Sequence, residues 1–281
     1  MKDLNMRRMM LTLKWDFLSH WTQQLRMMLT MMFCLLAMTA MNTYMMYRHG
    51  ETGSPFEESS WGVGILFIFG MFMVIAASTV LNSVRTKAQR AAYLMHPASN
   101  KEKFVSCWLY STVGAFIIFS VSVVVADLLR MLFDLLVTQS YFGSMSVAFF
   151  SDLYDVSAGL FEEVFDVLHG NAASQPVFVM MLLVPVLLHA IFLFGGVFFT
   201  KQAWLFTMGM IFIGIYVAFA ADIPRLIFGF IEPLATRGEP EQVAVLWGFD
   251  VVVLLLIALT YWAAYKVFCR IQVISNKWIN L

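Results

Sequence analysis

Four charged side chains lie within or beside long apolar stretches, where charge is costly. Asp127, Arg130 and Asp134 are three and four residues apart, so on a helix they share one face and can pair. Asp250 lies inside another apolar stretch. Because ionisable groups at membrane depth are rare and often functional, these four residues could form a polar lining near the outer mouth of a pathway. The interpretation that their position near the outer headgroups favours is an interfacial ion pair, with Asp250 bonded to a neighbouring helix.

The chain lacks the motifs of several common catalytic sites. It has no GxxxxGK[ST] phosphate-binding loop, no HExxH metal motif and no GxSxG nucleophile elbow. The three cysteines are widely spaced, which predicts neither a disulfide framework nor a zinc site. We therefore expect no enzyme activity and no cofactor or metal in this chain.

The composition indicates a membrane protein. Of 281 residues, 60% are hydrophobic and 13% charged, whereas ordinary soluble domains have roughly 45–50% and 25%. A helix needs about 20 apolar residues to cross the bilayer core. Six stretches qualify, and they predict an all-α integral membrane protein with six transmembrane helices in a domain of residues 27–281: 27–47, 61–84, 104–126, 177–200, 202–221 and 246–265.

The distribution of charge predicts the orientation. Most of the 18 Lys and Arg residues lie in the N-terminal segment, between spans two and three, at Lys201 and in the C-terminal tail. Because Lys and Arg are retained on the cytoplasmic side, both termini should be cytoplasmic. The formal net charge is zero, which gives no reason to expect a nucleic-acid partner. No cleavable signal peptide is apparent, so span one should be retained.

Three segments outside the spans have recognisable patterns. Residues 1–26 form a cytoplasmic elbow, in which an amphipathic helix over 9–25 has Met10, Phe17 and Leu18 on its apolar face and Thr12 and Asp16 opposite. The outer segment, residues 138–176, contains a second amphipathic pattern over 155–168, which predicts a lid, an outer-leaflet helix or a solvated connector. Residues 223–234 are too short to cross and indicate a re-entrant turn.

The coupling segment, residues 85–103, is the most informative. Pro97 interrupts helix there, and Ser99 followed by Glu102 forms a capping-box pattern, which predicts a new helix from about Asn100. The segment is also basic. The result is a bend that could present a rigid surface to another protein, or a positively charged turn that only sets topology.

The run from Leu94 to Phe104, LMHPASNKEKF, resembles the permeases of type-2 ATP-binding-cassette (ABC) transporters. It resembles more closely the small Bacteroidetes membrane subunits with a Leu-x-x-Pro-Ala-Ser-x-x-Glu-Lys-Phe stretch. Four residues match the wider family, namely Leu94, Pro97, Ser99 and Glu102. Three match only the closer group, namely Ala98, Lys103 and Phe104. At Cys107 the wider family often has a lysine. The C-terminal run from Lys266 to Val273 also resembles the closer group.

This resemblance implies a coupling helix that docks on a separate ATPase subunit, with an elbow helix before span one. The residues it assigns to docking and coupling are Leu94, Pro97, Ser99, Glu102, Lys103 and Phe104. It also implies a multi-pass permease subunit of an ABC exporter in the bacterial inner membrane, paired with a second copy or a homologue.

Two other functions fit the same sequence. One is a noncatalytic scaffold or assembly subunit that binds a partner through residues 138–176. The other is an ion-coupled carrier that uses Asp250.

Overall fold

The computed structural model describes residues 5–19, 21–49, 60–81, 87–137, 144–155, 158, 174–199, 201–222, 225 and 239–270. These residues form helices α1 (Met6–Ser19), α2 (Trp21–His49), α3 (Ser60–Ser78), α4 (Lys87–Met95), α5 (Asn100–Leu109), α6 (Ala115–Val137), α7 (145–155), α8 (Ser174–Phe198), α9 (Ala203–Ala220) and α10 (Glu239–Phe268). A π-helical turn, Tyr110–Gly114, connects α5 to α6.

The described residues have the structure of an α-helical membrane protein. Four helical stretches are long and apolar enough to cross a bilayer, namely Gln24–Met41, Asn100–Phe133, Ala203–Ala220 and Val243–Phe268. The other two predicted spans correspond to shorter apolar helices, Gly64–Ser78 and Leu182–Phe198. The all-α membrane class predicted from composition is therefore confirmed.

Helix α3 ends at Ser78, before the residue predicted for the end of span two, Val84. The Ser78 hydroxyl donates to the carbonyl of Ile75 at 2.6 Å, and the Thr79 hydroxyl donates to that of Ala76 at 2.8 Å. The backbone N–H of Thr79 also bonds the carbonyl of Ala76, which tightens the last turn. Such hydroxyl bonds offer the backbone an alternative to continued helix.

Helix α1 buries its polar face and exposes its apolar face. Thr12 and Asp16 are buried, whereas Met10, Phe17 and Leu18 are exposed. This is the reverse of a helix on a soluble protein, and it is the arrangement expected where apolar side chains meet lipid. The sequence prediction assigned these residues to the same two faces.

The structure divides into two compact units. The first comprises the described residues of 1–12, 74–108 and 160–281. Here α8 packs against both α9 and α10. Two glycines of α8 permit close approach: a Cβ at Gly195 would meet the Thr207 side chain, and one at Gly196 would meet the backbone carbonyl of Ser78. Small residues at helix contacts are typical of membrane bundles.

The second unit comprises the described residues of 13–73 and 109–159. Helix α2 packs against α6, and the Ser122 hydroxyl of α6 lies 3.4 Å from the Met28 carbonyl. Three phenylalanines from α3, α6 and α7 form its aromatic core: the Phe119 centroid lies 5.2 Å from that of Phe69 and 5.5 Å from that of Phe149.

Candidate functional site

The predicted capping box is present where the coupling segment enters α5. The backbone N–H of Glu102 donates to the Ser99 hydroxyl at 3.3 Å, and the backbone N–H of Ser99 donates to Oε2 of Glu102 at 2.7 Å. Helix α5 begins at Asn100, as the pattern predicts. The box satisfies two of the N–H groups that a helix start leaves free.

The other carboxylate oxygen of Glu102 binds the start of a second helix. The backbone N–H of Asn5 donates to Oε1 at 2.9 Å. Asn5 is the N-cap of α1, because its side-chain oxygen accepts the N–H of Arg7 at 3.1 Å. The third helical position of α1 is Arg8, which cannot complete a capping box by accepting a bond. Glu102 supplies that acceptor from elsewhere in the chain, and one carboxylate thereby serves two helix N-termini.

Lys103 and Tyr93 connect the end of α4 to α5, across the bend at Pro97. The ammonium of Lys103 donates to the carbonyl of Leu94 at 3.2 Å, in the last turn of α4, where carbonyls lack helical partners. The Tyr93 hydroxyl lies 3.3 Å from the Lys103 carbonyl and 3.0 Å from Sγ of Cys107. Cys107 is buried and takes part in holding the bend together.

Aromatic side chains attach the same bend to the end of α10. The Phe104 ring lies 5.5 Å from that of Tyr265 and 5.4 Å from that of Phe268, both edge to face. Tyr93 also meets Phe268 edge to face, at 6.4 Å. Each such aromatic pair stabilises the fold by about 0.5–1.5 kcal/mol beyond the contribution of its buried area. The bend is therefore packed against the end of α10.

The six residues assigned to docking differ in exposure. Glu102 and Lys103 are buried, with 1% and 3% of their surface exposed, so within this chain they position the bend. Ser99 and Phe104 are partly exposed. Leu94 and Pro97 are exposed, and the neighbouring Met95 is exposed to 78%. The outward surface of the bend, which we call the tip surface, consists of Leu94, Met95, Pro97, Asn100 and Lys101.

Asp127 anchors the start of helix α7. Its Oδ1 accepts the backbone N–H of Met145 at 3.0 Å, and its Oδ2 accepts that of Ser146 at 2.9 Å. The hydroxyls of Ser144 and Ser146 donate to Oδ2 at 2.6 and 2.7 Å. Arg130 lies 3.4 Å from Oδ1, and both side chains are buried. The carboxylate therefore caps α7 within a buried ion pair, which agrees with the ion-pair interpretation of this spacing.

The other two predicted pathway residues do not join this cluster. The side chain of Asp134 lies outside the described residues. Asp250 belongs to the other compact unit, where it is buried with 1% of its surface exposed. Neither of its carboxylate oxygens has a hydrogen-bond partner in the described structure. The expected bond from Asp250 to a neighbouring helix is therefore not found there.

Sequence reasoning missed the partners that come from distant parts of the chain. Asn5, Tyr265 and Phe268 lie far from residues 94–104 in sequence, and no local spacing connects them. The available signals were Asn5 in front of a helical pattern, which is typical of an N-cap, and the resemblance of the C-terminal run.

These features define a helical membrane protein whose coupling segment is bonded to its first and last described helices. Comparison with known proteins adds no relative: no protein-family model, no curated protein and no solved structure matches the chain.

Proposed function

We propose that this chain is a permease subunit of an ABC exporter, with six spans, cytoplasmic termini and a location in the bacterial inner membrane. It works as a dimer with a second copy or a homologue, and a separately encoded ATPase subunit docks on its coupling segment. The chain itself is the noncatalytic, membrane-spanning part.

The main support for the proposal is the pair of hydrogen bonds that the Glu102 carboxylate accepts from two helix starts. Oε1 binds the start of α1 and Oε2 binds the start of α5, so the elbow and the coupling segment are held by one side chain. A segment that transmits force needs rigid attachment, since a loose loop would absorb the displacement. Lys103 and Phe104 attach the same segment to α4 and α10.

The tip surface is available for a partner. Leu94, Met95 and Pro97 supply exposed apolar contact, and Lys101 supplies an exposed charge. An apolar centre beside a polar rim is the usual anatomy of a protein interface. In the proposed mechanism, ATP-driven closure of the partner pushes on the tip surface, and the bend passes this displacement to α1 and α10.

The test uses the ABC ATPase encoded nearest to this chain's gene, co-expressed with the full chain. We expect the two to co-purify from detergent. Met95→Asp should lower the affinity at least about tenfold, which is the loss of one buried interface contact. The matched control is Tyr154→Asp on α7, since Tyr154 is similarly exposed but lies outside the coupling segment. Failure to co-purify, or equal retention by both variants, would refute the proposal.

A second candidate function, a scaffold that binds a partner through the outer segment, is supported by α7. Val147, Phe150 and Tyr154 are exposed along one face of this helix, and Met145 and Phe149 are buried on the other. Asp127 fixes its start. The predicted amphipathic stretch 155–168 lies almost entirely outside the described residues, as does the predicted re-entrant turn at 223–234 apart from Arg225.

Photo-crosslinking from position 154 in intact cells tests the scaffold function. A discrete protein adduct that Val147→Asp abolishes would support it. Adducts with lipid alone would contradict it.

A further inference from the structure

Three partly buried polar side chains meet among the helices of the first unit. The Tyr261 hydroxyl of α10 lies 2.9 Å from Nδ1 of His189 on α8. The indole of Trp108 on α5 also interacts with this hydroxyl, as a hydrogen-bond donor. The sequence gives no hint of this, because the three residues are far apart and Trp108 is equally typical of a membrane-interface anchor.

The donors and acceptors present favour one direction for these bonds. The indole N–H of Trp108 can only donate, so the Tyr261 oxygen accepts from it. The Tyr261 oxygen has a second lone pair that could accept from an Nδ1–H, but the Tyr261 proton would then have no acceptor in the described structure. We therefore assign the bond as Tyr261 donating to Nδ1 of His189. A neutral imidazole whose Nδ1 accepts carries its proton on Nε2. The chain of bonds therefore runs from Trp108 through Tyr261 to His189 and ends in an Nε2–H donor.

That terminal donor has no acceptor. Nε2 of His189 is buried and has no hydrogen-bond partner in the described structure. A buried donor left unsatisfied costs about 1–3 kcal/mol, a cost that an acceptor would remove on binding. In membrane proteins, ionisable residues that face the bundle interior mark ligand or ion pathways.

The position of the trio within the helices fits a ligand site at membrane depth. Along the helix, at 1.5 Å per residue, Trp108 lies about 12 Å from Asn100, His189 about 14 Å from Phe198 and Tyr261 about 11 Å from Phe268. The bilayer midplane lies about 15 Å from each surface of the core. Pro185 lies one turn before His189 and removes a hydrogen bond from α8, which allows the helix to bend there.

The trio also lies one helical turn beyond the aromatic contacts of the bend. Trp108 follows Phe104 by four residues on α5, and Tyr261 precedes Tyr265 by four residues on α10. Residues four apart share one helix face. A displacement of Phe104 against Tyr265 would therefore also move Trp108 and Tyr261, which lie one turn further along the same two helices.

We infer that Nε2–H of His189 binds a carbonyl oxygen, such as that of an ester, on an otherwise apolar molecule that enters the bundle when α8 bends at Pro185. The molecule is either a bilayer lipid or a separate amphipathic compound. This inference rests on the proposed function, since it names the substrate class that the permease holds.

The test is nitrogen NMR of the full chain labelled with ¹⁵N-histidine, in nanodiscs of ether-linked phospholipid, which contain no carbonyl. The His189 signals are assigned by their loss in His189→Asn. We expect the Nε2–H tautomer, and a saturable shift of the Nε2 signal on addition of methyl decanoate but not of undecane. If ester-linked nanodiscs produce that shift without additive, the bilayer lipid is the ligand; if only methyl decanoate does, a separate compound is.

Tyr261→Phe removes the hydroxyl that fixes the tautomer, so both tautomers of His189 should appear. Tyr265→Phe, one turn away on the same helix, is the matched control and should leave the spectrum of His189 unchanged. An Nδ1–H tautomer in the unmodified chain, or the absence of a shift with any ester, would overturn the inference. The experiment needs no ATPase, so its failure is distinguishable from a failure of the proposed docking.

Discussion

Glu102 accepts a hydrogen bond from the backbone N–H of Asn5, 97 residues earlier in the chain, at 2.9 Å. Its other oxygen accepts the N–H of Ser99 at 2.7 Å. A helix start carries about half a positive charge and several free N–H groups, so a carboxylate placed between two such starts stabilises both. The elbow helix and the coupling segment are thereby joined through one side chain.

Glu102→Ala should release the start of α1. The N–H groups of Asn5 and Ser99 would lose their shared acceptor, so their hydrogen exchange should quicken by about tenfold or more, the equivalent of one ordinary hydrogen bond. Mass-spectrometric exchange on the purified chain measures this. Lys101→Ala is the control, because Lys101 is exposed in the same helical turn. Unchanged exchange at Asn5 in Glu102→Ala would show that the bond does not hold α1.

Gly196→Ala should destabilise the chain by about 1–3 kcal/mol, as overpacking does. The added Cβ would lie 2.5 Å from the Ser78 carbonyl oxygen, and backbone cannot move aside cheaply. Gly209→Ala, on α9, meets nothing within 4 Å. It should be neutral, or stabilising by up to about 1 kcal/mol through helix propensity. Unfolding by SDS in mixed micelles compares the two, and equal destabilisation would argue against close packing at Gly196.

Asp127→Asn should loosen the start of helix α7. The amide keeps the size of the side chain but presents one oxygen where the carboxylate accepts four hydrogen bonds and an ion pair. Weakening a buried, bonded charge in this way costs about 3 kcal/mol. Unfolding measurements and hydrogen exchange at residues 145–147 should both respond. Asp155→Asn, exposed at the other end of α7, should change neither.

Asp250→Asn should change the free energy of unfolding by less than about 1 kcal/mol, because the carboxylate has no hydrogen-bond partner to lose in the described structure. SDS unfolding measures the stability, and uptake into proteoliposomes under a proton gradient measures carrier activity. Loss of uptake with unchanged stability would favour the ion-coupled carrier over the exporter. A large loss of stability would instead reveal a structural partner for Asp250.

Local patterns predicted local structure well. The apolar runs predicted the helical membrane class, and the spacing of Ser99 and Glu102 predicted the start of α5. The faces of α1 also followed from the helical period, with Phe17 exposed and Asp16 buried. Each of these depends on residues within a few turns of one another, where geometry is set by the helix itself.

The long-range partners were decided by the tertiary structure. A capping box predicts that Glu102 bonds Ser99, but it says nothing of Asn5, which reaches the carboxylate only because α1 is folded back beside α5. The hydroxyl of Tyr261 likewise meets His189 only because α8 and α10 pack together. Sequence by itself determined which segments are helical and apolar, since that depends on composition and period. Which polar groups share a bond depended on helix packing, because a hydrogen bond requires approach within about 3 Å, which sequence spacing does not encode.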